Sequence, residues 1–287
     1  GDVYKRQMQG LGAARYPSGA VYSGGFVAGL ADGIGQITYA DGSGYQGGWT
    51  AGQITGLGRA SYVSGDVYLG EVLNGQHHGA GVLTKPNGQS YSGTWVAGRM
   101  QGAGRLTYPD GAVYHGQMAD DLPHGHGTLT DAAGARYTGD WLAGQMTGQG
   151  TLTEPDGARY EGGFRGGKRH GLGRLTYANG DSFVGAFRDD LRQGRGTFTG
   201  ADGRVMTGYW RAGVLNGEGQ LRYADGARYS GGLLRGIPNG RGTITYANGA
   251  LYEGQWQNGI QQGQGMAVYP DGTRFTGTFE AGQPCLL

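Results

Sequence analysis

The sequence is poor in several things that define other protein classes. It has one cysteine, Cys285, which excludes an intramolecular disulfide and any metal site built from several thiolates. Proline is scarce, at 8 of 287 residues, so neither a collagen-like nor a proline-rich disordered chain fits. The formal charge is only +1, which gives no global electrostatic case for nucleic acid. No stretch approaches the ~18 consecutive apolar residues of a membrane-spanning helix. What remains is glycine, with 66 residues, and aromatics, with 19 Tyr, 7 Phe and 5 Trp. That pairing predicts tight turns between short strands, since a flexible linker does not carry so many rings.

A fixed period organises both residue types. Stepping by 23 from Tyr22 gives Tyr45, Tyr68, Tyr91, Tyr114, Tyr137, Tyr160, Phe183, Met206, Tyr229, Tyr252 and Phe275. With this column as position 0, glycine stands at +2 in all twelve registers, from Gly24 to Gly277. Position +4 is aromatic or large and apolar, and it holds every tryptophan: Trp49, Trp95, Trp141, Trp210 and Trp256. Glycine recurs at +11, +13 and +20, and +17 is mostly tyrosine, as in Tyr39, Tyr62, Tyr108 and Tyr246. Residues 7–21 read as a partial repeat, and 22–287 as an array with units starting at 22, 45, 68, 91, 114, 137, 160, 183, 206, 229, 252 and 275. The first six residues, Gly1 to Arg6, lack the pattern and read as translated adapter sequence, so they are set aside from fold reasoning.

Within a unit, apolar residues alternate at 0 and +4 and again at +15 and +17, the spacing of one sheet face. Tyr91–Trp95 is expected as one strand, 104–108 as the next, with a turn over 98–102 and a second at Asp110-Gly111. The glycines at +2 and +13 are expected as floors for rings of the neighbouring hairpin. A single hairpin cannot bury its own aromatic face, so the units must stack. The fold class expected is all-β: an elongated solenoid or ribbon of about twelve stacked antiparallel β-hairpins.

The pattern Y-x-G-x-W-x-x-G-x-x-x-G-x-G-x-L-T-Y-x-D-G, legible from Tyr91 to Gly111, resembles the MORN (membrane occupation and recognition nexus) repeat. This resemblance implies an extended, twisted hairpin array serving protein binding, homotypic assembly and, in some members, association with acidic phospholipids. The chain departs from the family in carrying Gly at +3 in several units and almost no lysine, so its outward face is unusually uncharged. Asp121 and Asp190 replace the glycine at +7, in Asp-Asp-Leu turns where aspartate tolerates left-handed backbone.

Chemistry-bearing motifs reduce to the repeat. His78, His124 and His170 share position +10 but recur every two units, roughly 19 Å apart, too far to share a metal ion. The run Gly162 to Lys168 matches part of a phosphate loop, yet Arg169 follows where Ser or Thr is needed. No nucleophile elbow is present. The expected function is a non-catalytic scaffold, without a cofactor or metal, that binds a protein partner or a second copy of itself as a homodimer, with no nucleic acid. The face expected to carry it is the aromatic columns: Tyr45, Trp49, Tyr91, Trp95, Tyr137, Trp141, Tyr160, Trp210, Tyr229, Tyr252 and Trp256. Residues 159–211 hold ten Lys or Arg against five acids, while 1–158 hold eight against twelve. This asymmetry admits pairing between opposite halves of two copies, or binding of acidic phospholipid through Arg165, Lys168, Arg169, Arg174, Arg188, Arg192 and Arg195. A third alternative is an accessory region of an enzyme whose catalytic domain lies upstream. The compartment is unknown, with a soluble chain, cytoplasmic or peripheral to a membrane, expected.

Overall fold

The computed structural model describes residues 8–285, so the adapter-like stretch 1–6 lies outside the described residues. These form strands and turns, with no helix among them. The chain divides into two compact units, residues 8–145 and 146–285. In each, every strand pairs antiparallel with the one that follows it in sequence. The first unit runs this way from Gly10–Arg15 to Arg136–Leu142 and the second from Gln145–Thr153 to Gln283–Pro284.

One hairpin represents the rest. Strand Ser90–Val96 pairs with Arg99–Thr107 through a two-residue turn, Ala97-Gly98, in which both residues are left-handed (φ 49° and 80°). This turn type matches the right-handed twist of its flanking strands. It is tighter than the 98–102 turn expected from sequence, because Gly98 and Gly102 do different jobs: the first closes the turn, and the second, at φ 65°, sits in a bulge inside the strand. In register, Gly93 faces Gly104 and Trp95 faces Met100, so the second strand holds extra residues and is nine residues long against seven. Asp120-Asp121 and Asp189-Asp190 make the same turn without glycine, at φ 48°, 69°, 50° and 71°.

The second kind of turn, Tyr108 to Gly111, is closed by Gly111 N–H donating to the Tyr108 carbonyl and Tyr108 N–H donating to that of Ala112. Only its glycine is left-handed (φ 90°). The aspartate contributes differently from the sequence expectation: its carboxylate accepts from Ala112 N–H at 3.0 Å. Asp41, Asn87 and Asp225 repeat that bond.

Register explains the glycines. Gly93 is flanked by Gly81 on one side and Gly104 on the other, so a band of bare backbone crosses three strands. The ring of Tyr91 lies forward along its own strand over this band, toward Gly93 and Thr94. A Cβ on Gly104 would sit 2.6 Å from Cζ of Tyr91, and one on Gly93 would meet Gly104 Cα at 2.7 Å. The floor thus belongs to the ring's own hairpin, and the neighbouring hairpin supplies walls. Tyr22 packs edge-on against Phe26 of its own repeat at 5.1 Å and Trp49 of the next at 5.0 Å, and Tyr252 does the same with Trp256 and Phe279. Each ring at 0 is therefore clamped between two +4 side chains, one from the following repeat, which is how stacking replaces a globular core.

Most polar atoms of the rings are satisfied by the same geometry, the Trp49 indole nitrogen excepted. The Tyr hydroxyl donates to the +3 carbonyl that the bulge frees, at 2.7–3.1 Å for Tyr68, Tyr91, Tyr114, Tyr160 and Tyr229. Indole N–H groups of Trp95, Trp141, Trp210 and Trp256 donate to the +13 glycine carbonyl one repeat earlier, at 3.0–3.2 Å. Where Met206 stands in place of a ring, leucines fill the slot: Cβ positions on Gly208 and Gly219 would meet Leu215 and Leu233 at 2.8 and 2.6 Å.

Candidate binding surfaces

The aromatic columns singled out from sequence lie inside this packing. Tyr45, Trp49, Tyr91, Trp95, Tyr137, Trp141, Tyr160, Trp210, Tyr229, Tyr252 and Trp256 are all buried, none more than 8% exposed. Burial pushes the phenols of Tyr68, Tyr114, Tyr137, Tyr160 and Tyr229 up to about 12. What a partner can reach is the set of rows beside these columns.

One such row was hidden in the sequence. Position +9 sits directly across its hairpin from +4, as in Trp49 facing Ile54, Val72 facing His77, Met118 facing Pro123 and Phe187 facing Arg192. Where it is histidine or arginine, its side chain lies on the rings. His77 stacks on Tyr68 with centroids 3.7 Å apart and 9° between planes, and burial lowers its pKa. Arg169 lies over the Tyr160 and Phe187 rings at 5.8 and 5.9 Å, and Arg192 is 4.3 Å over the Trp210 ring. The column holds Ala, Ile, His, Met, Pro, Arg and Leu in different repeats, so no period search by residue type finds it.

This divides the arginine-rich segment. Arg169 and Arg192 are ring covers, half-buried, and Arg169 also contacts Asp190 at 3.1 Å. Arg174 stands in register with Glu161, and Arg195 lies 5.5 Å over the Tyr209 ring. Arg165, Lys168 and Arg188 flank left-handed turns and are exposed. The seven therefore do not form one patch; three line an edge of the second unit, with Arg211 alongside. Asp189 reaches Arg188 at 3.9 Å on that edge.

The glycines of the phosphate-loop lookalike belong to a hairpin: Gly166 and Gly167 are its left-handed turn, and strand Lys168–Thr176 follows instead of a helix. His126 lies 3.4 Å from Asp140 and His170 is 3.7 Å from Asp189. No group of three His, Cys, Asp or Glu suited to a metal occurs among the described residues.

Two hollows open in the first unit between the tyrosines at +17. The larger, about 630 Å³, lies between Tyr16 and Tyr39 over Ile37, Trp49 and Ile54. The smaller, about 130 Å³, lies between Tyr39 and Tyr62 over Ile54, Val72 and His77. Tyr39 lines both. These three tyrosines are 40–41% exposed, in contrast to the rings at 0.

The fold and its surfaces define a class of repeat protein, each unit built from repeated β-hairpins whose rings are internal and whose exposed rows vary. The model of the MORN repeat matches eleven consecutive segments: residues 22–44, 45–67, 68–90, 91–113, 114–136, 137–159, 160–182, 183–203, 207–228, 229–251 and 252–274. The chain belongs to the MORN repeat family. No curated protein matches it. Among solved structures it is similar to the TCP domain of SAS-4 from Drosophila melanogaster, in complex with a proline-rich motif of Ana2, at 11% identity and TM-score 0.33, covering 62% of this chain and 85% of that one. The TCP10 domain of Danio rerio CPAP, in complex with a STIL peptide, gives 13% identity and TM-score 0.29, with 93% and 98% covered. Virginiamycin B lyase from Staphylococcus aureus gives 11% identity and TM-score 0.15, with 96% and 86% covered.

Proposed function

We propose that the chain is a non-catalytic scaffold that binds a protein partner, or a second copy of itself, through the exposed rows beside its buried ring columns. One observation carries this reading. The repeated positions are consumed by packing, with rings clamped and most of their polar atoms bonded internally, while variation between repeats falls on half-buried ring covers at +9 and on more exposed positions such as +17. Variation on a rigid periodic frame supports recognition, because it gives each stretch of the array its own chemistry. The titratable side chains are dispersed along it, and catalysis needs them convergent.

The test combines light scattering of the full chain over a concentration series with affinity capture from its source cells. A saturable partner or a concentration-dependent dimer is expected. A strict monomer with no captured partner refutes the scaffold.

A second reading, binding to acidic phospholipid, is favoured by the edge of the second unit, where exposed Arg165, Lys168, Arg188 and Arg211 stand beside exposed Leu191 and Val214. Cations with apolar neighbours suit an anionic interface, at ~1 kcal/mol per cation near the surface. Sedimentation with phosphatidylserine vesicles, absent with neutral vesicles and lost at high salt, is the expected signature; equal sedimentation with both vesicle types rejects it.

A further inference from the structure

We infer that the row Tyr16–Tyr39–Tyr62 is a docking site for a basic, proline-rich peptide in the polyproline II conformation, lying across the strands of the first unit. The inference rests on the scaffold reading and names the class of partner at one of its surfaces.

Spacing is the first argument. Tyrosines at +17 in successive repeats are two strands apart, so they recur at about 9.4–9.8 Å across the sheet. A polyproline II helix rises about 3.1 Å per residue with three residues per turn, and repeats every ~9.3 Å. A peptide with proline at every third position thus presents the same face to each tyrosine in turn. An α-helix, with a pitch of about 5.4 Å, and an extended strand, repeating at about 6.6 Å, fall out of step within one interval.

The shape of the surface agrees. The two hollows are consecutive and share Tyr39 as a common wall, so the row has three aromatic ribs and two slots. The slot floors are apolar, with Ile37, Trp49, Ile54 and Val72, and suit pyrrolidine rings. Ribs of half-exposed tyrosine offer a flat face for a proline, and the Tyr39 hydroxyl offers a donor for a peptide carbonyl, which polyproline II leaves free of internal hydrogen bonds, while the Tyr62 hydroxyl is bonded to His77 Nε2 at 2.7 Å. The row stops at Lys85, which occupies +17 in the next repeat.

Charge selects the sign of the peptide. Asp41 and Asp66 stand in the turns beside Tyr39 and Tyr62, close enough that each contributes, after burial, to raising its tyrosine's pKa. No lysine or arginine lines either slot. An acidic rim next to aromatic slots complements an arginine or lysine flanking the prolines and disfavours an acidic peptide.

The test is fluorescence polarisation with the full chain and a labelled peptide of about twelve residues, carrying proline at every third position and arginine at both ends. Saturable binding is expected, with a dissociation constant on the order of 100 μM or tighter. The same composition with proline at every fourth position should bind at least about tenfold more weakly. Tyr39→Ala should cost at least about tenfold, because it removes the shared wall. Because that change enlarges both slots, Asp41→Asn with Asp66→Asn is the companion variant, which leaves the packing alone and should weaken binding several-fold at low salt only. Equal binding of the two spacings, no effect of Tyr39→Ala, or binding of chitohexaose in place of the peptide would each overturn the inference. Failure to bind the peptide while affinity capture still returns a partner removes this site and leaves the scaffold standing.

Discussion

The most exacting prediction concerns Gly93. Its backbone is not left-handed, so replacing it with alanine introduces no φ strain and the whole effect must come from the added methyl. That methyl would lie 2.7 Å from the Ala103 carbonyl oxygen and the Gly104 Cα, both backbone atoms of the paired strand, and would press on the Tyr91 hydroxyl. The ring can swing out of its slot, whereas the backbone contacts persist unless the two strands part, so loss of the ring's packing is the least the methyl can cost. Leaving it loses about 1.5–3 kcal/mol of buried aromatic surface. The edge-on contact with Trp95, centroids 5.1 Å apart, is worth about 0.5–1.5 kcal/mol, and the hydroxyl's bond to the Thr94 carbonyl about 1 kcal/mol. A cost of about 4 kcal/mol results, above the ~1–3 kcal/mol typical of overpacking. Gly98→Ala is the control: its Cβ would meet nothing within 4 Å, and with φ 80° it should lose only about 1 kcal/mol to backbone preference. Urea denaturation gives both values, and hydrogen exchange should place the Gly93 effect in its own and adjacent hairpins. If Gly93→Ala costs no more than Gly98→Ala, the ring-over-glycine account of this fold is wrong.

Three further outcomes follow from the same geometry. Tyr91→Phe should cost about 1 kcal/mol by orphaning the Thr94 carbonyl, while Phe183→Tyr should gain a comparable amount; calorimetry checks the pair. Trp95→Phe should destabilise by about 1 kcal/mol more than Trp49→Phe, since Trp95 donates to the Gly81 carbonyl and the buried Trp49 indole nitrogen has no partner; equal losses in urea melts would contradict this. Tyr68, Tyr114, Tyr137, Tyr160 and Tyr229 are pushed by burial up to about 12, against about 10 in an unfolded chain, so the folded state holds more protons between those values. Their contribution to stability is complete below pH 10 and is lost as pH climbs from 10 to 12. Tyrosinate absorbance followed alongside circular dichroism tests it, and tyrosines ionising near pH 10 without loss of strand signal would refute it.

The period, the strand pairs and the glycine floor were legible in the sequence because packing fixes residue type there. Nothing but glycine fits beneath the Tyr91 ring, and only large apolar side chains can clamp it, so those columns repeat visibly. The bulge was not legible: Gly98 and Gly102 look alike in sequence, although one closes a turn and the other kinks a strand. Nor was the +9 column, where the requirement is only to cover a ring. His77 does so by stacking and Arg192 by cation–π attraction, while Ile54 and Pro123 stand across from Trp49 and Met118. Arg169 and Arg192, which sequence grouped with a basic surface, spend their charge on rings for this reason.

That distinction bears on where recognition can evolve in such an array. A change at 0, +2, +4 or +13 disturbs a clamp shared by two repeats, so those positions are closed to specialisation. Position +9 is intermediate: it must cover a ring, yet it accepts a histidine that also reaches the Tyr62 hydroxyl at 2.7 Å. Position +17 is freer still, holding Tyr39, Tyr62, Lys85, Tyr108, Asp131 and Glu154 in successive repeats of the same frame. Of the two stretches where three tyrosines recur without interruption, Tyr16–Tyr39–Tyr62 and Tyr223–Tyr246–Tyr269, the first has consecutive hollows between its members. A partner that reads this surface must therefore match the frame's own interval of two strands, and a change in the partner's repeat length should weaken binding at least about tenfold even when its composition is unchanged.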